Sequence, residues 1–570
     1  MSIPDLVIRG GTVVDGSGAP AVEGDVVIAG DRVVSIGRYD GPAREVIEAR
    51  GRLVTPGFVD VHTHLDAQLT WDPLGTPSNL HGVTSVVVGN CGVGFAPCLP
   101  RHREYLMFLM EGVEDIPAAA MREGLRWDWE TFPEYLAALG RLPLGVNVGA
   151  HISHAPLRIW AMGERGASDA EASDFELAAM REAVAEAIRA GALGFATGRT
   201  TMHRTPAWDP VPGTFASRRE LDALAGALAE EGRGVFELVP YGAAGEDAAG
   251  VPQEFAWMAP LSRACGRLFS VALIQALAYP DVWRQAMTLA EQAATGGAHI
   301  RPQVAVRAVG VLMGFGIAIN PLSLFPAAGD LMSLSRQEAV TRLRDPALRA
   351  ALVESARDNV DGTILGGMAT LTHVFPLTGD GVRGYETTPD KSLVARAAGL
   401  GIPPLRLLLD LIVEHDGRCF FLVPLYNPDL EAAGAMLQHP LSTIGLGDSG
   451  AHTTQTADAS YATFALAYWV RERRLMPLER MVYKLTGELA ALWGIAGRGV
   501  LRAGAFADLN VIDLDRLDLC LPEVRHDLPA GAAALTQRAT GYLATVVNGQ
   551  VLMRDGAHTG AHPGVVIRGA

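Results

Sequence analysis

The sequence predicts an α/β protein whose core is a (β/α)8 TIM-like barrel, with a small β-sandwich domain built from both chain termini. Three observations predict this fold class. Short strand patterns alternate with helix patterns along the middle of the chain, as in a parallel barrel. Both ends carry short strand patterns punctuated by glycine. No G-x-G-x-x-G fingerprint follows a predicted strand, which disfavours an open dinucleotide-binding sheet.

The two ends of the chain share one local pattern. Residues 1–55 contain "DLVIRGGTVVDG", in which β-branched runs are separated by Gly and Asp-Gly turns. Residues 496–570 contain "FADLNVIDLD" and "TVVNGQVLMRDG", which have the same character. We therefore predict that the two ends together form one β-domain that flanks the barrel.

Residues 56–495 carry the barrel pattern. The stretch "GVTSVVVGN" is a continuous apolar run, as expected of a parallel strand buried on both faces. The stretch "SDFELAAMREAVAEAIRAG" has helical spacing, with Ser173 as the predicted N-cap and Gly191 as the stop. From about 313 to 384 the alternation fails. This insertion is predicted to form either a lid over the site or a structural elaboration.

Composition limits the function classes. The 570-residue chain has a net charge of −16, and such an acidic balance argues against binding nucleic acid. No apolar run is long enough to suggest a membrane span, and no signal-peptide pattern opens the sequence. The five cysteines form neither a CxxC motif nor a disulfide framework, which favours a reduced, cytoplasmic setting. We therefore expect a small-molecule partner, and the sequence leaves a homo-oligomer open.

Two histidines stand one residue apart in "VTPGFVDVHTHLD". The residues before them read as a strand entered through a Pro-Gly turn, and strand side chains two apart share one face. His62 and His64 can therefore point together into the barrel mouth, where barrel enzymes keep their sites. Neutral imidazoles suit zinc and related divalent metals, so we predict a metal site. A hydrogen-bonded structural pair is the alternative.

Several blocks of the sequence resemble a known family. The stretch "VTPGFVDVHTHLD" is similar to the first metal-binding strand of the amidohydrolase superfamily. "GVTSVVVGNCGVGFAP" resembles the second strand of its N-acyl-D-amino-acid deacylase, or D-aminoacylase, branch. The blocks "SHAPLR", "GALGFATG", "GAFADLNVIDLD" and "VVNGQVLMRDGAHTGAHPGVVIRG" are similar to further parts, so the resemblance covers nearly the whole chain. It implies a zinc-dependent hydrolase that cleaves a C–N amide bond.

The resemblance also implies site residues. His62 and His64 match the H-x-H metal ligands, and Cys91 matches the cysteine ligand of the branch; a buried structural cysteine is the alternative. Asp448, at the end of the predicted last strand, matches an aspartate that is a metal ligand or general base. It is predicted to take a proton from the attacking water and pass it to the leaving amine. A turn-forming Asp is the alternative. The expected cofactor is Zn²⁺, as one ion, with two left open.

The chain departs from the family pattern at two places. Its two lysines, Lys391 and Lys484, lie far from the fourth strand, so the carbamylated lysine that bridges two metals in other superfamily members is absent. The segments predicted as the fifth and sixth strands, "GVFELVP" and "FSVALIQAL", lack the histidines of the branch. Three outcomes stay open: one metal on the four residues above, recruitment of another side chain, or loss of the metal. The candidate substitutes are Glu237, Gln275, His151, His154 and His203.

Five residues near predicted strand ends are expected to contact the substrate: His154, Arg199, His203, Arg307 and His452. An arginine can offer a bidentate fork to a carboxylate, although a structural ion pair is the alternative for each of the two. The branch usually has a leucine after the Thr-Gly pair, where this sequence reads "TGR". The substrate preference is therefore expected to differ from that for ordinary N-acyl-D-amino acids.

These observations together predict a metal-dependent amide hydrolase, similar to the N-acyl-D-amino-acid deacylases. One alternative is a hydrolase of another small amide, such as a cyclic imide, a lactam or a peptide-like metabolite. A second is a metal-poor binding protein that kept the barrel, and a third is a structural or assembly protein. Fold resemblance alone does not define the substrate.

Overall fold

The computed structural model describes residues 3–355, 368 and 370–569. At its centre, eight parallel strands pair in sequential order, and we number them barrel strands one to eight along the chain. The barrel strands are Phe58–Asp60, Val83–Val88, Asn147–Ser153, Gly194–Gly198, Val235–Val239, Phe269–Leu273, Ile300–Val304 and Thr443–Ile444. Just beyond the first and last strands, a parallel bridge joins Thr63 to Ser449 and closes the ring. The predicted TIM-like barrel is confirmed.

Helices follow the barrel strands along the chain. Those between the second and seventh strands are Arg103–Glu114, Ala118–Gly124, Phe132–Leu139, His154–Met162, Asp174–Ala190, Arg218–Glu231, Gly250–Cys265 and Val282–Thr295. Those flanking the eighth strand are Leu430–Gln438, Tyr461–Phe464, the π-helical Ala465–Glu472, Leu478–Leu485 and Gly487–Leu492. In the described part of the chain, no helix combines the length and apolar character that a bilayer span requires.

The predicted ends of one helix are confirmed in detail. The Ser173 hydroxyl accepts the Glu176 N–H, and the Glu176 carboxylate in turn accepts the Ser173 N–H, which forms a capping box. Gly191 ends the helix with φ 112°, in the left-handed region that favours glycine.

Both chain ends enter one nine-stranded sheet. Its strands are Leu6–Val13, Val22–Ala29, Arg32–Gly37, Glu45–Glu48, Leu53–Pro56, Leu509–Ile512, Tyr542–Val547, Gln550–Arg554 and Ala557–His558. The terminal halves meet where Leu53–Pro56 pairs antiparallel with Leu509–Ile512. Ile8 and Val26, on neighbouring strands, share one buried apolar cluster with Val546, whose strand is separated from theirs by two others in the sheet order, so the sheet curls around its own core. Two short antiparallel strand pairs lie in sequence between Leu509–Ile512 and Tyr542–Val547. They are Asp518–Leu519 with Ala539–Thr540 and Glu523–Arg525 with Ala534–Thr536.

A long segment separates the seventh and eighth barrel strands. It contains an antiparallel sheet of Val309–Met313, Phe375–Leu377 and Phe420–Tyr426, and the helices Arg336–Leu343, Pro346–Ser355, Leu393–Leu400 and Pro404–Glu414. It has an apolar cluster of its own. The segment thus begins before and continues beyond the predicted insertion at 313–384, of which residues 356–367 and 369 lie outside the described residues. Its sheet borders the cavity described next, through Val309 and Tyr426.

Candidate metal centre and active site

A cavity of about 390 Å³ opens at the carboxyl ends of the barrel strands. Its wall includes His62 after the first strand, Cys91 after the second, Val239 at the end of the fifth and Asp448 after the eighth. The volume suits a small molecule. Because parallel strands present their carboxyl ends on one side of a barrel, residues far apart in sequence meet here.

Three side chains form a candidate ligand set inside this cavity. One ligand atom each from His62, His64 and Cys91 lies within 4.8 Å of the others, and all three residues are buried. His62 Nε2 is 3.1 Å from Cys91 Sγ. Asp448 adjoins the set, with its Oδ1 at 3.4 Å from His62 Nε2. The four residues predicted as metal ligands are thus brought together.

Unusual backbone conformations cluster around the same cavity. Cys91, Asp448 and His452 adopt φ values of 55°, 44° and 46°, in the left-handed region that non-glycine residues rarely enter. Each such residue costs on the order of 1 kcal/mol or more, so the surrounding contacts must hold it in place. A hydrogen bond holds the Cys91 backbone: the Cys91 N–H donates to Glu237 Oε2 at 3.0 Å. Backbone strain of this kind concentrates at functional sites.

A hydrogen-bond chain fixes the orientation of His62. The Gln303 side chain donates from Nε2 to Ser270 Oγ at 3.2 Å, which leaves its Oε1 as an acceptor. That oxygen lies 2.6 Å from His62 Nδ1, so the network assigns the proton to Nδ1. His62 Nε2 then keeps its lone pair, and this nitrogen faces Cys91 and Asp448. Support of this type orients a metal-binding histidine and raises its basicity.

His64 faces a buried carboxylate. Its Nδ1 lies 3.4 Å from Oε1 of Glu114, the last residue of helix Arg103–Glu114. Neither atom has a hydrogen-bond partner, although both are buried. Sequence reasoning identified neither Glu114 nor Gln303. Glu114 ends a helix without any motif, and the only signal for Gln303 was a polar residue within the apolar pattern of the seventh strand.

Burial disfavours the charged forms of the side chains at this site. Burial lowers the pKa of His62 to about 4 and that of His64 well below its ordinary value. Burial raises the pKa of Asp448 to about 6, and burial together with the nearby Glu237 raises the pKa of the Cys91 thiol well above its ordinary value. Without a positive charge, burial therefore favours the neutral forms of these groups. A divalent ion would stabilise the deprotonated ligands and release protons on binding.

The donor set fits such an ion. Two imidazoles, one thiolate and one carboxylate are ligands that zinc accepts. Asp448 Oδ1 is buried without a hydrogen-bond partner, which is costly unless another group completes it. Among the described residues, His62, His64 and Cys91 are the one group of His, Cys, Asp or Glu close enough together to hold an ion.

Three of the side chains considered as substitute ligands take other positions. On the fifth strand, Glu237 lies behind the ligands, with Oε1 at 3.8 Å from His62 Nδ1. Gln275 follows the sixth strand and accepts the Asp429 N–H. His151 accepts the Trp493 indole N–H at 3.2 Å. None of these three side chains belongs to the group of described residues that lie close enough together to hold an ion.

The five predicted substrate contacts divide into two groups. His203 and His452 line the cavity, and burial lowers the pKa of both. The other three do not reach its wall. His154 is fully buried, with Nδ1 at 2.8 Å from Thr197 Oγ1 and Nε2 at 2.7 Å from a Glu220 oxygen.

Both arginines expected at the substrate are bound to buried acids. Arg199 Nε lies 3.0 Å from a Glu254 oxygen. Arg307 pairs with Asp458 at 3.2 Å and stacks on the Tyr385 ring at 3.9 Å. Both arginines therefore form structural ion pairs, the alternative to substrate contact, because a carboxylate within the protein neutralises each guanidinium.

Known proteins share this architecture. Residues 45–553 match the model of the Amidohydrolase family. A D-aminoacylase of Alcaligenes xylosoxydans xylosoxydans is 28% identical over 566 residues, which are 99% of this chain and 97% of that protein. An N-acyl-D-aspartate deacylase of the same organism is 29% identical over 99% of this chain and 95% of its own length. The crystal structure of N-acyl-D-glutamate deacylase from Bordetella bronchiseptica, complexed with zinc and a phosphonate inhibitor, is similar at a TM-score of 0.67 and 25% identity, with all of both chains covered.

Proposed function

Because the chain belongs to the amidohydrolase family and its relatives hydrolyse C–N amide bonds, we propose that it is a zinc-dependent, deacylase-like hydrolase of a small amide. The observation that carries the proposal is the convergence of His62 Nε2, Cys91 Sγ and Asp448 Oδ1 at the barrel mouth, beside a cavity of substrate size. In the reaction, water adds to the carbonyl carbon and the C–N bond breaks, which yields a carboxylic acid and an amine.

His62, His64, Cys91 and Asp448 would hold the metal, and a single ion agrees with the one ligand group found among the described residues. Such an ion supplies Lewis acidity, which polarises a carbonyl and makes water a stronger acid. Gln303 keeps His62 in the tautomer that leaves Nε2 free to bind. Cys91 contributes a soft anionic donor in place of a further histidine.

Asp448 is the proposed general base. Its side chain is 26% exposed, so the carboxylate can meet water and substrate in the cavity. It takes the proton of the attacking water and delivers it to the nitrogen of the leaving amine. His203 and His452 line the same cavity, and hydrogen bonds from them to the amide are part of the proposal. The apolar wall excludes water from the rest of the substrate.

The test is hydrolysis by zinc-loaded protein in ¹⁸O-labelled water. A panel of N-acyl amines, N-acyl amino acids of both configurations, cyclic imides and lactams is screened by mass spectrometry for a new acid and amine. We expect one ¹⁸O atom in the acid, and a rate at least about 10²-fold lower for Asp448→Asn, as for loss of a general base. Equal rates for the two proteins would contradict the role of Asp448. No turnover of any compound by protein that contains zinc would contradict the hydrolase proposal.

A further inference from the structure

The cavity beside the candidate metal centre has an uneven charge character. Its titratable lining groups are histidines, acids, Cys91 and Tyr426, and its other polar lining groups are the neutral side chains of Thr200, Gln455 and Thr456. None of its lining residues is an arginine or a lysine among the residues that the structure describes. Resting on the proposed function, we propose that this site takes an amide whose groups in the cavity are apolar and neutral or cationic, without a free carboxylate.

One part of the cavity wall is apolar. It is formed by Met202, Val239, Ile274, Val311, Leu425 and Leu446, which come from four barrel-strand ends and the sheet of the long insertion. These side chains offer no hydrogen bond to a carboxylate. An ionised carboxylate transferred from water to such a wall loses its hydration without compensation, which is strongly unfavourable.

The rim of the cavity adds negative charge. Glu111 is exposed on helix Arg103–Glu114, and Asp115 caps the end of that helix with φ 50°. Both line the cavity, and within the described part of the chain neither forms a salt bridge with an arginine or a lysine. A like-charged substrate would meet repulsion from this side, whereas an ammonium or a neutral amide would not.

The arginines nearest in sequence to the strand ends do not compensate. Arg307 is 3% exposed and is paired with Asp458, and Arg199 is paired with Glu254. Both guanidiniums are therefore neutralised before any substrate arrives. A substrate carboxylate could gain from them only by displacing a buried ion pair, which costs several kcal/mol.

A neighbouring cavity of about 560 Å³ does contain arginines. It shares Asp448, Thr456 and Asp458 with the first cavity, and its far wall includes Arg525 and Arg538. Arg525 is already paired with Asp527 at 2.7 Å. A carboxylate would have to extend past Asp448 into this second cavity to find a cation. A substrate that stays within the first cavity meets no arginine or lysine among the described residues, so a neutral group is favoured there over a carboxylate.

The test compares two ligands that cannot be cleaved and differ by one charge. They are the ketomethylene analogue of N-acetylleucine, in which CH₂ replaces the amide N–H, and the carboxamide of that analogue, each as D and L forms. Binding to zinc-loaded protein is measured by calorimetry at pH 7. We expect the carboxamide to bind at least about tenfold more tightly than the acid in its better configuration, with the gap narrowing as salt is added.

Equal or tighter binding of the acid would overturn the inference, and so would failure of both ligands to bind. If tighter binding of the acid were lost in Arg538→Gln, the carboxylate would lie in the second cavity. The parent N-acetylleucine and N-acetylleucinamide are assayed for hydrolysis in parallel. Preferential binding of the carboxamide without any cleavage would contradict the proposed function and leave the charge inference standing.

Charge reversal at the rim supplies a second test. Glu111 accepts one hydrogen bond, from the Ala118 N–H at 3.2 Å, and Glu111→Gln keeps an acceptor there. We expect Glu111→Gln to lower the carboxamide-to-acid preference slightly and Glu111→Lys to lower it about two- to fivefold, as for a partly screened surface charge. Glu123→Lys, an exposed residue that does not line the cavity, is the matched control. A preference unchanged in Glu111→Lys, or lowered equally in Glu123→Lys, would count against the inference.

Discussion

The hydrogen bond from His62 to Gln303 offers a sharp test of how this site is organised. Gln303 Oε1 lies 2.6 Å from His62 Nδ1, and both side chains are buried. Gln303→Leu keeps nearly the same volume in the barrel but removes the acceptor. His62 can then adopt the other tautomer, which places a proton on Nε2, the nitrogen that faces Cys91 and Asp448. We therefore predict weaker zinc binding without loss of the fold.

The magnitude follows from the burial of this contact. An unsatisfied buried donor costs about 1–3 kcal/mol. Since about 1.4 kcal/mol corresponds to a factor of ten, the zinc Kd should rise about 10- to 100-fold, which is also the usual effect of removing a partner behind a metal ligand. Ser270→Ala removes only the hydroxyl that accepts from Gln303 and leaves Gln303 beside His62. The zinc Kd of Ser270→Ala should therefore rise less than that of Gln303→Leu.

Zinc affinity is measured by competition with a chromophoric chelator, and thermal melting checks the fold. Gln275→Leu is the matched control, because Gln275 is equally a buried glutamine but holds Asp429 and Pro280 rather than the site. It should lower the melting temperature and leave the zinc Kd within about twofold, since residues without shared partners act independently. An unchanged Kd in folded Gln303→Leu, or an equal rise in Gln275→Leu, would refute the reasoning.

Three further predictions concern charge and metal. Glu114→Gln removes the carboxylate 3.4 Å from His64 Nδ1, and we expect about tenfold weaker zinc binding in the same competition assay; unaltered affinity would show that Glu114 does not support the site. Burial raises the pKa of Glu220, but the hydrogen bond from His154 and the charge of Arg158 outweigh burial and lower that pKa to about 2. The ionised Glu220 with these partners therefore stabilises the fold above pH 4.5, and this stabilisation is lost as the pH falls towards 2. Glu220→Gln should therefore cost about 3 kcal/mol of unfolding free energy at pH 7 and progressively less below pH 4.5 in denaturant titrations, whereas a pH-independent cost would be inconsistent with an ionised pair. Zinc at 100 times its Kd should stabilise the wild-type fold by about 2.7 kcal/mol, and a melting temperature that does not respond to chelator would contradict metal binding.

Much of this site was accessible from the sequence because the fold is a barrel. His62, Cys91 and Asp448 each follow a strand pattern, and carboxyl ends of parallel strands meet at one face, so their proximity could be predicted. The helix limits at Ser173 and Gly191 followed from local cap chemistry. These features depend on short-range rules or on a repeated topology.

The remaining features depend on pairings that no local pattern encodes. Gln303 contacts His62 across 241 residues of sequence, and Glu114 reaches His64 from a helix end. Arg307 was expected at the substrate, but its partner Asp458 lies 151 positions away and holds it within the protein. A side chain's choice between a substrate and an internal partner is decided by tertiary packing.

Metal content tests the central claim most directly. Purified wild-type protein, Cys91→Ala and Cys98→Ala are saturated with zinc, freed of excess metal and measured by inductively coupled plasma mass spectrometry. Cys98 is the matched control, because it is buried and lies seven residues from Cys91 but outside the ligand set. We predict about one zinc per chain in the wild type and in Cys98→Ala, and well under half of that in Cys91→Ala. Wild-type protein without zinc, or full retention of zinc by Cys91→Ala, would contradict the account.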